Sequence, residues 1–251
     1  AMIDTPGTWK QIEVGGKPVD VYEPSQPSEH NYVVLHLHGH GGRTLRNNEV
    51  YTAEFEKYGL RAVCPHGRRS WWGKRICREF DERISPVEFI REQLMPEIRT
   101  RYSAEPPAIA LSGVSMGGQG ALRLAYWYPR EFPVVAALAP AVDFQNWLGR
   151  GLPLDEMYES QLDARQDSAT LQVHPLNWPP HQFITCDPRD PDCFEGTERL
   201  ISKLSSSGIL FEKDLTTSAG GHSWDYFNHM APAAMKFIFE RLERERLRFR
   251  G

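Results

Sequence analysis

Ser112-Gly113-Val114-Ser115-Met116-Gly117-Gly118-Gln119-Gly120-Ala121 is the stretch that decides how this chain folds. Ahead of it, Ala108-Ile109-Ala110-Leu111 is an apolar run of strand length. Behind it, Gln119 to Tyr128 carries apolar residues at helical spacing and stops at Pro129. A strand that passes through Gly-x-Ser-x-Gly into a helix is a nucleophile elbow. The chain must reverse within a few residues, which strains the backbone at Ser115 and projects its hydroxyl. A side chain at 113 or 117 would collide with the neighbouring strand or helix, so both positions are glycine. The N–H of Met116, at the positive end of the helix, faces the space before Ser115 Oγ and forms half of an oxyanion hole. Without partners elsewhere, the same residues would be a glycine-rich turn with an inert serine.

Composition sets the frame for those partners. A length of 251 residues suits one α/β domain, and 40% apolar with 11% aromatic residues supply a full core, which excludes a disordered chain. The net charge of −4 comes with no basic stripe, so nucleic acid is not an expected partner. The longest apolar stretches are strand-sized, so no membrane partner is expected either. Ala1-Met2-Ile3-Asp4 has no leader pattern, and Cys64, Cys77, Cys186 and Cys193 are scattered without C-x-x-C spacing. Free thiols in a cytoplasmic protein are expected, with a leader removed earlier left open and a Cys186–Cys193 clip as the weaker alternative. Oligomeric state is not legible.

Thr8 to Val14 and Lys17 to Glu23 flank Gly15-Gly16 and predict an edge hairpin. Tyr32 to Leu37 is a buried strand running into His38-Gly39-His40-Gly41-Gly42. This loop lies upstream of the elbow, where an α/β-hydrolase places its second oxyanion donor; the amide of His40 is assigned to it, with Gly41 as the near alternative. His36, His38 and His40 alternate and would share a strand face, a rival zinc reading. The sequence lacks the Asp-His that would complete a metallohydrolase motif, and no metal is assigned. Leu60 to Cys64 is the next strand. The loop after it carries Trp71 and Trp72, which either wall a substrate pocket or pack the loop onto the body. Ser85 caps a helix running to about Tyr102, with a kink expected at Pro96. After a strand over Val134 to Ala139 the pattern loosens, and 143–180, with Trp147 and Trp178, reads as a cap-like insertion of short helices whose aromatics help to form the pocket.

The last third supplies the remaining chemistry. His181 to Cys186 is a strand that opens into a loop with Asp187, Asp190 and Asp192, any of which could be a catalytic acid. A helix over Glu195 to Ser206 and a strand over Ile209 to Leu215 lead to Gly220-Gly221-His222-Ser223-Trp224, and a single helix is expected from Asp225 to about Arg248. Serine, acid and histidine thus come in the α/β-hydrolase order, each after a strand at one sheet edge. Ser115 would attack a carbonyl, His222 would take and return the proton, and the carboxylate would fix the imidazole.

Gly113-Val114-Ser115-Met116-Gly117-Gly118, the His38-Gly39 loop and the Gly221-His222-Ser223-Trp224 ending resemble the esterase D family of α/β-hydrolases from about Tyr32 to the terminal helix. That group includes S-formylglutathione hydrolases, feruloyl and acetyl-xylan esterases and antigen-85-type mycolyltransferases. The resemblance implies a mostly parallel sheet with helices on both faces. It also implies hydrolysis of small-molecule carboxylic esters through an acyl-enzyme on Ser115, without metal or organic cofactor. The alternatives are acyl transfer to another acceptor and a non-catalytic binding module. In the family the acid commonly falls three residues after a glycine that follows the strand. Asp187 stands at the glycine position here, so the resemblance points to Asp190, with Asp187 as second choice. Trp71, Trp72, Trp178 and Trp224 are the expected substrate-binding aromatics.

Overall fold

The structure, a computed structural model, describes residues 7–248. Eight strands form one sheet in the order β1-β2-β4-β3-β5-β6-β7-β8. β1 (Thr8–Val14) and β2 (Lys17–Glu23) make the edge hairpin. Gly15 and Gly16, at φ 56° and 77°, take the two left-handed turn positions that such a hairpin needs. β2 runs antiparallel to β4 (Arg61–Pro65), and every further pairing, through β3 (Val33–Leu37), β5 (Ile109–Val114), β6 (Val134–Leu138), β7 (His181–Thr185) and β8 (Glu212–Asp214), is parallel. β3, β5 and β6 are buried throughout, as their β-branched and apolar runs dictate for strands covered on both faces.

α4 (Met116–Trp127) covers β3, β5 and β6, with the short α6 (Ala169–Gln172) beside it. α9 (Ala231–Arg248), packed on α1 (Glu49–Tyr58), covers β5 to β7. α7 (Phe194–Ser206) follows β7. The segment 143–180 holds two 3-10 turns, Phe144–Trp147 and Pro153–Glu156, then α5 (Gln161–Gln166) and α6. Sequential strands step outward in one direction from β3 to β4 and in the other from β5 to β8. The reversal lies between β3 and β5, and the crevice for a ligand opens there, at the carboxyl ends of the strands.

Three expectations about elements are corrected. The helix that Ser85 caps is not regular as far as Tyr102. α2 (Pro86–Glu88) runs through a π-helical stretch, Phe89–Leu94, into α3 (Met95–Tyr102), and the wider turn just before Pro96 absorbs its missing N–H and its bulk. The terminal helix is broken: α8 (Trp224–His229) ends, and α9 restarts at Ala231 because Pro232 has no N–H to continue the ladder. β8 is shorter than Ile209 to Leu215, since the N–H of Ile209 closes α7 onto the Leu204 carbonyl after Gly208 turns at φ 70°.

Candidate active site

Ser115 sits between β5 and α4 with φ 56° and ψ −115°, a left-handed conformation that a serine adopts only under constraint. The constraint comes from its neighbours. A Cβ on Gly113 would stand 2.1 Å from the Gly117 carbonyl oxygen, and one on Gly117 would stand 1.8 Å from the Leu37 carbonyl oxygen. The turn is further tied by Ser115 N–H donating to Leu138 O at 3.0 Å and by Ala141 N–H donating to Ser115 O at 3.0 Å. Met116 is the first residue of α4, so its N–H has no intrahelical acceptor.

His222 faces this serine. Its Nε2 lies 2.9 Å from Ser115 Oγ, and its Nδ1 lies 2.6 Å from Asp190 Oδ2. Phe227 meets the imidazole edge-on, with ring centroids 5.5 Å apart. Asp190 is buried, and its other oxygen accepts from the N–H groups of Asp192 and Cys193, both at 2.9 Å. Burial alone would raise the Asp190 carboxyl. The hydrogen bond and charge of His222 and the two amides outweigh it and hold the group below the ordinary carboxylate range.

Asp187 does a different job. One oxygen accepts from Arg189 N–H and Ser218 Oγ, the other from the N–H groups of Ala219 and Gly221, at 2.7 to 2.8 Å. Its carboxylate is saturated by donors from its own loop and from the loop that carries His222. These donors outweigh burial and lower it to about 2. Asp192 is exposed and meets the acid only through its own amide. The structure therefore brings Ser115, His222 and Asp190 into one hydrogen-bonded chain and leaves Asp187 as a brace between the two loops.

Opposite Ser115 lies the loop after β3. Gly42 N–H donates to Gly39 O at 3.0 Å, which makes a turn with His40 and Gly41 at its centre, positions whose own N–H groups the turn does not use. His38 anchors it: Nδ1 donates to Gly39 O at 2.7 Å, and Nε2 accepts from Gly67 N–H at 2.9 Å. Burial, against the pull of the Gly39 carbonyl, lowers His38 to about 4, consistent with a neutral ring in this tautomer. His36 is buried too, with Nδ1 3.2 Å from Ser112 Oγ. The alternating histidines do not form a ligand set. His36 packs on Tyr51, His38 on Trp72 and His40 on Trp71 and Trp147, while the Nε2 lone pair of His38 is already used. Among the described residues, the one cluster with metal-ligand spacing is Asp190, Cys193 and His222. All four cysteines are free and buried.

A cleft of about 150 Å³ opens onto Ser115, lined by the loop Gly39 to Gly41 and by Arg43, Trp147, His222, Trp224 and Phe227 among others. Of the four tryptophans expected to touch substrate, only Trp224 lines it. Trp72 is fully buried under Gly67 and Gly120, and its indole N–H donates to His38 O at 3.0 Å. Trp71 is buried against Phe144, one layer behind Trp147 and His40. Both are thus packing residues, because the loop after β4 folds inward onto α4. Trp178 lines a separate surface groove with Pro129, Arg130 and Leu176. The sequence reading names Trp147 only as one aromatic of a long segment, and misses Arg43 and Phe227. Phe227, one helical turn after Trp224, had a signal in its spacing. Arg43 had none beyond its nearness to the glycine-rich loop.

The family described as "Putative esterase" matches residues 17–238. Among solved structures, an S-formylglutathione hydrolase from Agrobacterium tumefaciens is similar at 20% identity and a TM-score of 0.75, over 94% of each chain. A fluorophosphonate-binding serine hydrolase of Staphylococcus aureus is similar at 14% identity and a TM-score of 0.74, over 94% of this chain and 99% of that one. A ferulic acid esterase of Anaeromyces mucronatus reaches 17% identity and a TM-score of 0.68, over 96% and 94%. At these identities the structures speak for the fold, and the family match speaks for the activity class: the chain belongs to the Esterase family and is a carboxylic ester hydrolase with the α/β-hydrolase fold.

Proposed function

We propose that this esterase hydrolyses short-acyl or aryl carboxylic esters through an acyl-enzyme on Ser115. The observation that carries the reading is the hydrogen-bonded chain from Ser115 Oγ through His222 to Asp190. Ser115 Oγ attacks the ester carbonyl as His222 Nε2 takes its proton. The tetrahedral oxyanion is held by the N–H groups of Met116 and His40. His222 then protonates the departing alcohol, leaving the acyl group on Ser115. Water repeats the sequence in reverse and frees the acid. Asp190 keeps the imidazole in the tautomer with Nδ1–H and stabilises it when charged.

The small cleft supports the choice of substrate. About 150 Å³ is well below the usual size of a site for a drug-sized ligand, which favours a short acyl chain over a long one. Trp147 and Trp224 give it two flat apolar walls, with 143–180 acting as a partial cap through Trp147. The test is hydrolysis of 4-nitrophenyl acetate, butyrate and decanoate by wild type and Ser115→Ala. Acetate and butyrate should be turned over, decanoate poorly, and the variant should lose roughly three decades or more of kcat. A variant that retains most of the activity would remove Ser115 from the reaction.

A further inference from the structure

The residues that line the Ser115 cleft carry one permanent charge, and it is positive. Arg43 lies in the lining with its guanidinium 5.3 Å from the Trp224 ring centroid, in the geometry of a cation–π contact. Among the described residues, no carboxylate pairs with it. Arg46 pairs with Asp20, Arg69 with Glu79 and Arg75 with Asp163, whereas Arg43 has no such partner. Two carboxylates on the loops at this sheet edge already have partners. Asp190 is buried and bonded to His222, and Glu79 is held by Arg69. His40, also in the lining, is pushed below its ordinary range, first by burial and then by the charge of Arg69, and adds no negative partner.

A second arginine repeats the pattern at Trp147, another aromatic of the lining. Arg150 lies 5.2 Å from the ring centroid of Trp147, is exposed and has no carboxylate partner among the described residues. Both aromatic walls of the cleft are thus flanked by an unneutralised guanidinium. Stacking on an indole face holds Arg43 without using its N–H donors, so the fork stays free to bind a planar anion bidentately.

We propose that Arg43 is a specificity-determining residue and that the preferred substrate is an ester bearing an anionic group, a carboxylate, on the part that reaches Arg43 in the cleft lining. This rests on the Ser115 cleft being the ester site. The carboxylate pairs with Arg43 at the cleft mouth while the ester carbonyl sits between Ser115 and the loop Gly39 to Gly41. The interaction adds to substrate binding and takes no part in bond making or breaking, so it acts on KM more than on kcat.

The experiment uses two rigid pairs of esters that differ only in charge. With the charge on the alcohol side, 4-acetoxybenzoate is compared with 4-acetoxybenzamide. With the charge on the acyl side, the 4-nitrophenyl monoester of terephthalate is compared with its primary amide. The readout is the ratio of kcat/KM for the anion over the amide, which is insensitive to how much of a variant is folded. Wild type should favour the anion by about tenfold or more in one of the two pairs, mainly through KM, and added salt should erode the preference. Arg43→Gln should bring that ratio close to one, Arg43→Lys should keep part of it and Arg43→Glu should reverse it. An absent preference in both pairs, or one that Arg43→Gln leaves intact, overturns the assignment of Arg43. Ester cleavage that is absent in both members of both pairs, or that persists in Ser115→Ala, would instead overturn the acyl-enzyme reading on which it rests.

Discussion

Asp187 and Asp190 stand three residues apart in one loop, and both are buried carboxylates with lowered pKa values, yet they face different donors. Asp190 meets the imidazole, and Asp187 meets backbone amides and a hydroxyl. Substitution by asparagine separates the two roles. Asp190→Asn should lower kcat by roughly three to four decades with the fold retained, because an amide cannot hold His222 in the required tautomer. Asp187→Asn should keep much of the activity and cost roughly 2 kcal/mol in denaturant titration, because it places amide hydrogens against the donors of the His222 loop. If instead Asp187→Asn abolished turnover in a folded protein, the proposed acid would be wrong. The three-aspartate loop was legible in the sequence as an acid loop after a strand. The choice within it was not readable from residue type, because the deciding factor is where the Ser218 to Gly221 backbone points its N–H groups.

At the scale of the elements, the loops at the carboxyl ends of the strands divide into those that touch the cleft and those that hold it in place. The loop after β4 belongs to the second kind. Trp72 plugs the space between Gly67 and Gly120 and bonds the His38 carbonyl, and buried Arg123 of α4 reaches the carbonyls of Trp71 and Asp167. Trp72→Ala should cost about 3–5 kcal/mol of stability, read as a lower midpoint in denaturant. Trp224→Ala and Trp147→Ala, whose rings are only partly buried, should change stability by about 1 kcal/mol or less and act on KM for aryl esters. The reverse pattern would make Trp72 a substrate wall after all. Strand periodicity and the glycines of the elbow made the sheet and the placing of Ser115 readable in advance. The adjacent tryptophans were not, since an inward or outward loop has the same composition. The break at Pro232 was written in the chain but lay inside an otherwise helical apolar pattern.

For the whole molecule, the acid-side stability follows from carboxylates held ionised by the fold. Asp20, Asp81 and Asp187 are each lowered from 3.8 to about 2. For Asp20 the hydrogen bonds of His66, Thr44 and Gln11 prevail over burial, and for Asp81 the leading cause is Lys17. The folded values lie below the unfolded ones, so the unfolded chain binds protons first as pH falls. The stabilisation is complete above the unfolded value near 3.8 and is lost as pH drops through the folded values near 2. Thermal unfolding should show Tm falling steeply between about pH 4 and pH 2, and Asp187→Asn should flatten part of that slope. A Tm unchanged across this range would contradict the linkage. The strained elbow, the His222 loop and the acid loop together are proposed to make Ser115 a nucleophile. The most direct test is the intact mass of the protein after exposure to a fluorophosphonate, with the adduct mapped by peptide sequencing. A single adduct on Ser115 is expected, absent in Ser115→Ala and strongly slowed in His222→Ala. An unmodified wild-type protein, or an adduct on another residue that persists in Ser115→Ala, would contradict it.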